Sequence, residues 1–183
     1  QGFYFSSKDT KEGYYDENGN SLQKVFLKAP LQYKYISSGY SLNRFNPILQ
    51  RFTNHRGIDY AAAFGTPAVS VGYGIVVQAG WNGEYGISVQ VRHNETYTTV
   101  YGHFSSLAKG IRVGAKVKQG QIVGYVGSTG LSTGPHLHYE MHKFGSFINP
   151  FKEKIPSGEP VKESDRSDYQ KISGRFAIEL DKI

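Results

Sequence analysis

The chain has no cysteine among its 183 residues, which excludes a disulfide framework, thiol catalysis and cysteine-ligated zinc. That fits a cell-envelope location without requiring one. Methionine and tryptophan occur once each, at Met141 and Trp81. There is no apolar run of about 18 residues, so no segment reads as a membrane-spanning helix. No helical pattern of about 10–15 residues separates the candidate strands, which removes support for a doubly wound α/β sheet. The chain opens Gln1-Gly2 and its single Met is internal, so a mature product or excised fragment is expected, a signal peptide or upstream domains having been lost.

What is present favours a strand-rich fold. Hydrophobic residues at 38% and charged residues at 20% allow a buried core. Aromatic residues reach 14%, mostly tyrosine, and 22 glycines call for many tight turns. Lys and Arg number 21 against 15 Asp and Glu, and the resulting +6 favours anionic surroundings. Nucleic acid, phospholipid and anionic wall polymer all qualify on charge. The basic residues are scattered rather than set beside aromatics, which argues against a β-barrel module for nucleic acid.

The residues divide into three stretches. Residues 1–36 form a β lead-in, readable as the end of a preceding domain, with Asp16-Glu17-Asn18-Gly19-Asn20 as a hairpin turn and short strands on either side of Pro30, over Val25–Leu31 and Leu31–Ile36. Residues 37–150 start loop-like up to residue 66 and then run strand after strand: Val69–Ala79, Gly86–His93, Thr96–Phe104, Lys116-Val117, Gln121–Gly127 and His136–Met141. The expected fold is mainly β, a compact antiparallel domain. Residues 151–183 are a charged tail that packs on the domain or on missing upstream domains, with Ser173–Leu180 as a final strand or a segment joining a missing neighbour.

Four of the six histidines carry the chemical argument. His55 and Asp59, four apart across Gly57, could converge on one ion if the chain curls, though a surface His near an Asp has the same spacing. His136 and His138 lie two apart in a strand and so share a face, with Leu137 directed into the opposite layer. Solvated imidazoles on an exposed sheet face would look alike. His103 ends an aromatic, β-branched strand and reads equally as structural or catalytic. Taken as a set they become coherent. Neutral imidazoles and a carboxylate suit zinc, and His55, Asp59 and His138 would supply three ligands with a position left open. His103 and His136 could then reach that position from neighbouring strands and move a proton between water and a leaving amine.

These residues bring a family resemblance with them. His55-Arg56-Gly57-Ile58-Asp59 with Gly65-Thr66-Pro67-Ala68-Val69, then Tyr101-Gly102-His103, then Ser132-Thr133-Gly134-Pro135-His136-Leu137-His138 occur in order. The stretch from about Ser37 to Pro150 thereby resembles the lysostaphin-like M23 zinc metallopeptidases, the LytM domain. The resemblance implies an antiparallel β domain with a loop-bounded groove and Zn²⁺ on His55, Asp59 and His138. His103 and His136 would flank the attacking water. The flanks Tyr14–Leu22 and Phe26–Leu31 resemble Gram-negative D,D-endopeptidases, which implies periplasmic hydrolysis of the D-Ala to meso-diaminopimelate cross-link in peptidoglycan stem peptides. Carboxypeptidase action and a part in cell shape belong to some relatives, as does an inhibitory segment; Asn43 or an upstream domain would fill that last role here, and membrane-anchored envelope proteins are candidate partners. Arg44 and Arg56 are candidates to bind a substrate carboxylate. The alternative is a catalytically silent relative that binds cell wall or activates an amidase, which the five intact polar residues disfavour. Phe64 departs from the family pattern, where Pro is common, and touches loop shape rather than the metal.

Overall fold

The computed structural model describes residues 2–46 and 49–180. It divides into two units, one of Gln1–Phe26 with Lys154–Ile183 and one of Leu27–Glu153.

In the first unit β1 (Phe3–Phe5) pairs antiparallel with β2 (Gly13–Tyr15). Its core is Phe3, Phe5, Tyr15, Val161 and Tyr169, with Ala177 packed against it. The Asp16–Asn20 turn forms as the composition predicts: the Asp16 carboxylate accepts from the backbone amides of Asn18 and Asn20, and Gly19 takes φ +77°. The tail does not. Ser173–Leu180 is no strand but the second half of α1 (Arg166–Leu180). The helix's inward positions are Tyr169, Ser173 and Ala177, spaced four apart, and only the first is a large apolar residue. Its period-3.6 signal is therefore faint in the sequence.

The second unit is the β domain. Its strands are β3 (Tyr35–Ser38), β4 (Ser41–Asn46), β5 (Arg51–His55), β6 (Ile58–Ala61), β7 (Pro67–Val69), β8 (Gly74–Trp81), β9 (Ile87–Arg92), β10 (Tyr97–Leu107), β11 (Lys116–Val117), β12 (Ile122–Val126), β13 (His136–Lys143) and β14 (Ser146–Ile148). Ten of them, all antiparallel pairs, build one sheet ordered β11-β8-β9-β10-β13-β6-β3, with β14 on β13 and β12 bridging β10 to β7. β4 and β5 form a separate ribbon. The stretch 37–66, expected as loop, therefore holds β4, β5 and β6 and the end of β3. These strands are four to six residues long, and Leu42, Phe45 and Phe52 on the ribbon are exposed, so no inward-outward alternation marks them. The expected strand over Val25–Leu31 is absent. Pro30 cannot donate to a ladder, and the segment is held by single bonds from Val69 N to Pro30 O and from Leu27 N to Val71 O.

The alternation along β13 sets the site. Leu137, Tyr139 and Met141 are buried in the core with Val89, Val91, Tyr101 and Ile58, which leaves His136, His138, Glu140 and His142 to the other face. β10 pairs with β13 as far as Gly102 opposite His138, then shifts register and continues against β12. A β-bulge there turns the chain at His103, whose φ is +62°.

Candidate active site

The histidines and the aspartate meet because three adjacent strands deliver them. His138 on β13 lies opposite Asp59 on β6, and Gly102, next to His103, lies opposite His138 on β10. His55 ends β5, and the two residues Arg56-Gly57 carry the chain from there into β6. The H-x-x-x-D spacing is thus not one curled loop but the ends of two strands.

His55 Nε2, Asp59 Oδ1 and His138 Nδ1 form a triangle with sides of 3.0, 2.8 and 3.3 Å, and all three residues are buried. The outer nitrogen of each ring explains which atoms face inward. His55 Nδ1 donates to the Gly39 carbonyl at 2.8 Å, and His138 Nε2 donates to the Glu140 carboxylate at 3.0 Å. A carbonyl and a carboxylate accept only, so in the neutral ring, the form that binds a metal, the inner nitrogen carries the lone pair. Three electron-rich atoms at this spacing call for a cation. The edge of a tetrahedron with bonds of about 2.0–2.1 Å is roughly 3.3 Å, so the set fits zinc. A proton competes with a metal ion for the same inner atoms. Burial opposes the charge on Asp59, yet hydrogen bonds with His138 and His55 hold its carboxyl well below the usual range. Burial likewise opposes a charged His138, and its bonds to Asp59 and Glu140 override this and raise its pKa.

Two further rings line the same cleft, a cavity of about 340 Å³. His136 Nδ1 donates to the Gly134 carbonyl at 2.8 Å, and its Nε2 stands 3.8 Å from Asp59 Oδ1. His103 Nδ1 donates to the Thr129 carbonyl at 2.8 Å. Each ring thus keeps Nε2 as its acceptor. The ring centroids of His103 and His136 are 4.6 Å apart. Burial, then the His136 charge, pushes the His103 pKa down to about 4, so the ring is neutral at ordinary pH. A non-glycine residue at positive φ is uncommon and costs on the order of 1–3 kcal/mol, and here it seats a ring in the cleft.

The two arginines named from sequence also reach the cleft. Arg44 Nη1 donates to Ser38 Oγ at 2.7 Å and lies 3.6 Å from Asp59 Oδ2, while its buried Nε has no hydrogen-bond partner among the described residues. The Arg56 guanidinium sits over the Phe147 ring, 4.8 Å from its centroid. Asn43 is exposed on β4 and is not among the cleft-lining residues. Sequence reasoning gave no role to Glu140, Tyr85 or Glu84, which line the cleft as well. Only Glu140 left a signal, by sharing the parity of His136 and His138.

Gly57 matters for a reason its spacing does not reveal. A Cβ there would lie 2.5 Å from His138 Cε1, 2.7 Å from its Nε2 and 2.8 Å from the Tyr139 carbonyl. Gly57→Ala is expected to push the His138 ring out of register, destabilising the domain by about 1–3 kcal/mol and weakening metal retention. Thermal melting and zinc titration of the variant check this, and wild-type values in both would refute it.

An antiparallel β domain carrying a His-Asp-His centre and two more imidazoles at its cleft defines a metallopeptidase-type site. The chain belongs to peptidase family M23, whose model matches residues 53–150. It is 39% identical over 153 residues to the peptidoglycan DD-endopeptidase ShyC of Vibrio cholerae, covering 84% of this chain and 35% of that protein. It is 40% identical over 156 residues to the DD-carboxypeptidase/endopeptidase Mpg of Neisseria meningitidis, again covering 84% of this chain and 35% of the relative. Among solved structures it resembles a zinc-containing peptidase from Vibrio cholerae, with TM-score 0.67 and 32% identity over 85% of this chain and 47% of that one. The chain therefore spans about a third of the length of these curated relatives.

Proposed function

We propose that this chain is the catalytic part of a zinc-dependent peptidoglycan endopeptidase acting on the D-Ala to meso-diaminopimelate cross-link in the envelope of a Gram-negative bacterium. The observation that carries the reading is the inward triangle of His55, Asp59 and His138 with the acceptor nitrogens of His103 and His136 at the same cleft. Similarity to proteins named DD-endopeptidase and DD-carboxypeptidase/endopeptidase supports the substrate class.

His55, Asp59 and His138 would hold the zinc, which would supply Lewis-acid chemistry: activation of water and polarisation of a peptide carbonyl. The chain's own groups supply the rest. His136, anchored through Nδ1, offers Nε2 to take the attacking water's proton and return it to the departing amine. His103, neutral and held by the Thr129 carbonyl, offers its own Nε2 as a second proton acceptor beside His136. Asp59 stays ionised throughout, so it holds the ligand rings without competing for protons. Arg44 and Arg56 line the cleft on cationic side chains suited to a stem-peptide carboxylate.

The test is zinc analysis of the purified protein together with mass spectrometry of crosslinked muropeptides after digestion. Conversion of dimers to monomers, lost on chelation and restored by zinc, is the expected result. Intact dimers in the presence of stoichiometric zinc would leave a wall-binding relative as the correct reading.

A further inference from the structure

Glu140 is a buried carboxylate, 2% exposed, that the proposed chemistry does not consume. Both its oxygens are engaged. Oε1 accepts from His138 Nε2 at 3.0 Å and from the Tyr85 hydroxyl at 2.9 Å, and Oε2 accepts from His142 Nε2 at 2.9 Å. The strand period explains two of these contacts: residues 138, 140 and 142 lie on one face of β13, so the carboxylate sits between two imidazoles. The third comes from the turn Gly83–Tyr85, across the cleft wall.

We infer that Glu140 is a positioning residue for the metal centre, selecting the nitrogen that His138 presents to the ion. An imidazole can ligate through either nitrogen, and the hydrogen bond made by one decides which remains. With Nε2–H committed to Glu140, only Nδ1 is available on the side of His55 and Asp59. The same carboxylate is tied through Tyr85 to the segment that holds His103. The 83–85 turn and the start of β9 are tied to residues 129–131 by bonds from Leu131 N to Glu84 O and from Ile87 N to Thr129 Oγ1, and the Thr129 carbonyl holds His103. A single buried group thereby braces one ligand ring and the wall that seats a catalytic ring.

The inference rests on His55, Asp59 and His138 being the metal ligands, and the experiment separates the two. Zinc affinity of the wild-type protein and of Glu140→Gln is measured by competition with a chromogenic chelator, with circular dichroism as the check on folding. Glu140→Gln is expected to keep its β spectrum and to bind zinc about 10- to 100-fold more weakly. Wild-type affinity in a folded Glu140→Gln protein overturns the positioning role and leaves the ligand set standing. A wild-type protein that binds no zinc overturns the ligand set and this role with it. Should Glu140→Gln fail to fold, long-range ¹H–¹⁵N spectra of the zinc-loaded wild-type protein decide. A protonated Nε2 with the metal on Nδ1 of His138 supports the assignment, and metal on Nε2 sinks it.

Discussion

His138→Ala and Asp59→Ala are each expected to lose bound zinc and, with it, essentially all hydrolysis. The site offers three protein donors in one 2.8–3.3 Å triangle, so removing one leaves two ligands and an uncompensated geometry. The two substitutions should differ in stability. Asp59 is the one carboxylate within 4 Å of Arg44, His55 and His136 among the described residues, and His138 shares it. Asp59→Ala therefore leaves the half-buried Arg44 guanidinium without that carboxylate and strips the His55 and His138 rings of a shared hydrogen-bond partner, a loss on the order of 1–3 kcal/mol. His138→Ala removes a ring but leaves Asp59 paired with His55 and Arg44. Elemental analysis, dimer-muropeptide turnover and thermal melting read the three effects separately. Stoichiometric zinc in either variant would remove that residue from the ligand set.

Replacing His136 or His103 should instead separate metal from turnover. Neither ring belongs to the inner triangle, and each is anchored through Nδ1 to a backbone carbonyl rather than to a ligand. Zinc content is expected to stay at the wild-type level while kcat falls roughly 10²- to 10⁴-fold, the usual contribution of a positioned acid or base. The double variant should lose little more than the worse single one, since groups acting on the same proton are not additive. For His103 the cleaner replacement is Asn, which tolerates the left-handed backbone at φ +62°; Ala there would add conformational cost to chemical loss. A His136→Ala protein retaining full kcat would show that the ring has no part in proton transfer.

The two units differ in how readable they were. Along β13 the order His-Leu-His announces its own geometry, because a two-residue period needs no knowledge of the neighbouring strands to place both imidazoles on one side. Most of the later strands, from β9 to β13, show the same alternation or a short β-branched run between glycine turns. The ribbon of β4 and β5 shows neither: its apolar side chains point to solvent, so pattern says nothing. α1 fails for the opposite reason, having an inward stripe too narrow and too polar to register. His103 is the instructive case. Nothing in Tyr101-Gly102-His103 indicates a positive φ, since that conformation is imposed by β10 leaving β13 for β12 at that residue.

The chain's own order of residues, then, determined the donor types, the shared face of His136 and His138, the absence of any thiolate alternative and the membership in a family. Those are consequences of side-chain chemistry and of the pleat, both local. Which nitrogen of His55 and of His103 faces inward, and that Tyr85 closes on Glu140, was decided only by tertiary packing. So was the arrival of Arg44 beside Asp59 and the need for bare backbone at Gly57. Each depends on a carbonyl, carboxylate or ring from a segment distant in sequence, and a contact between distant segments leaves no periodic trace in either one.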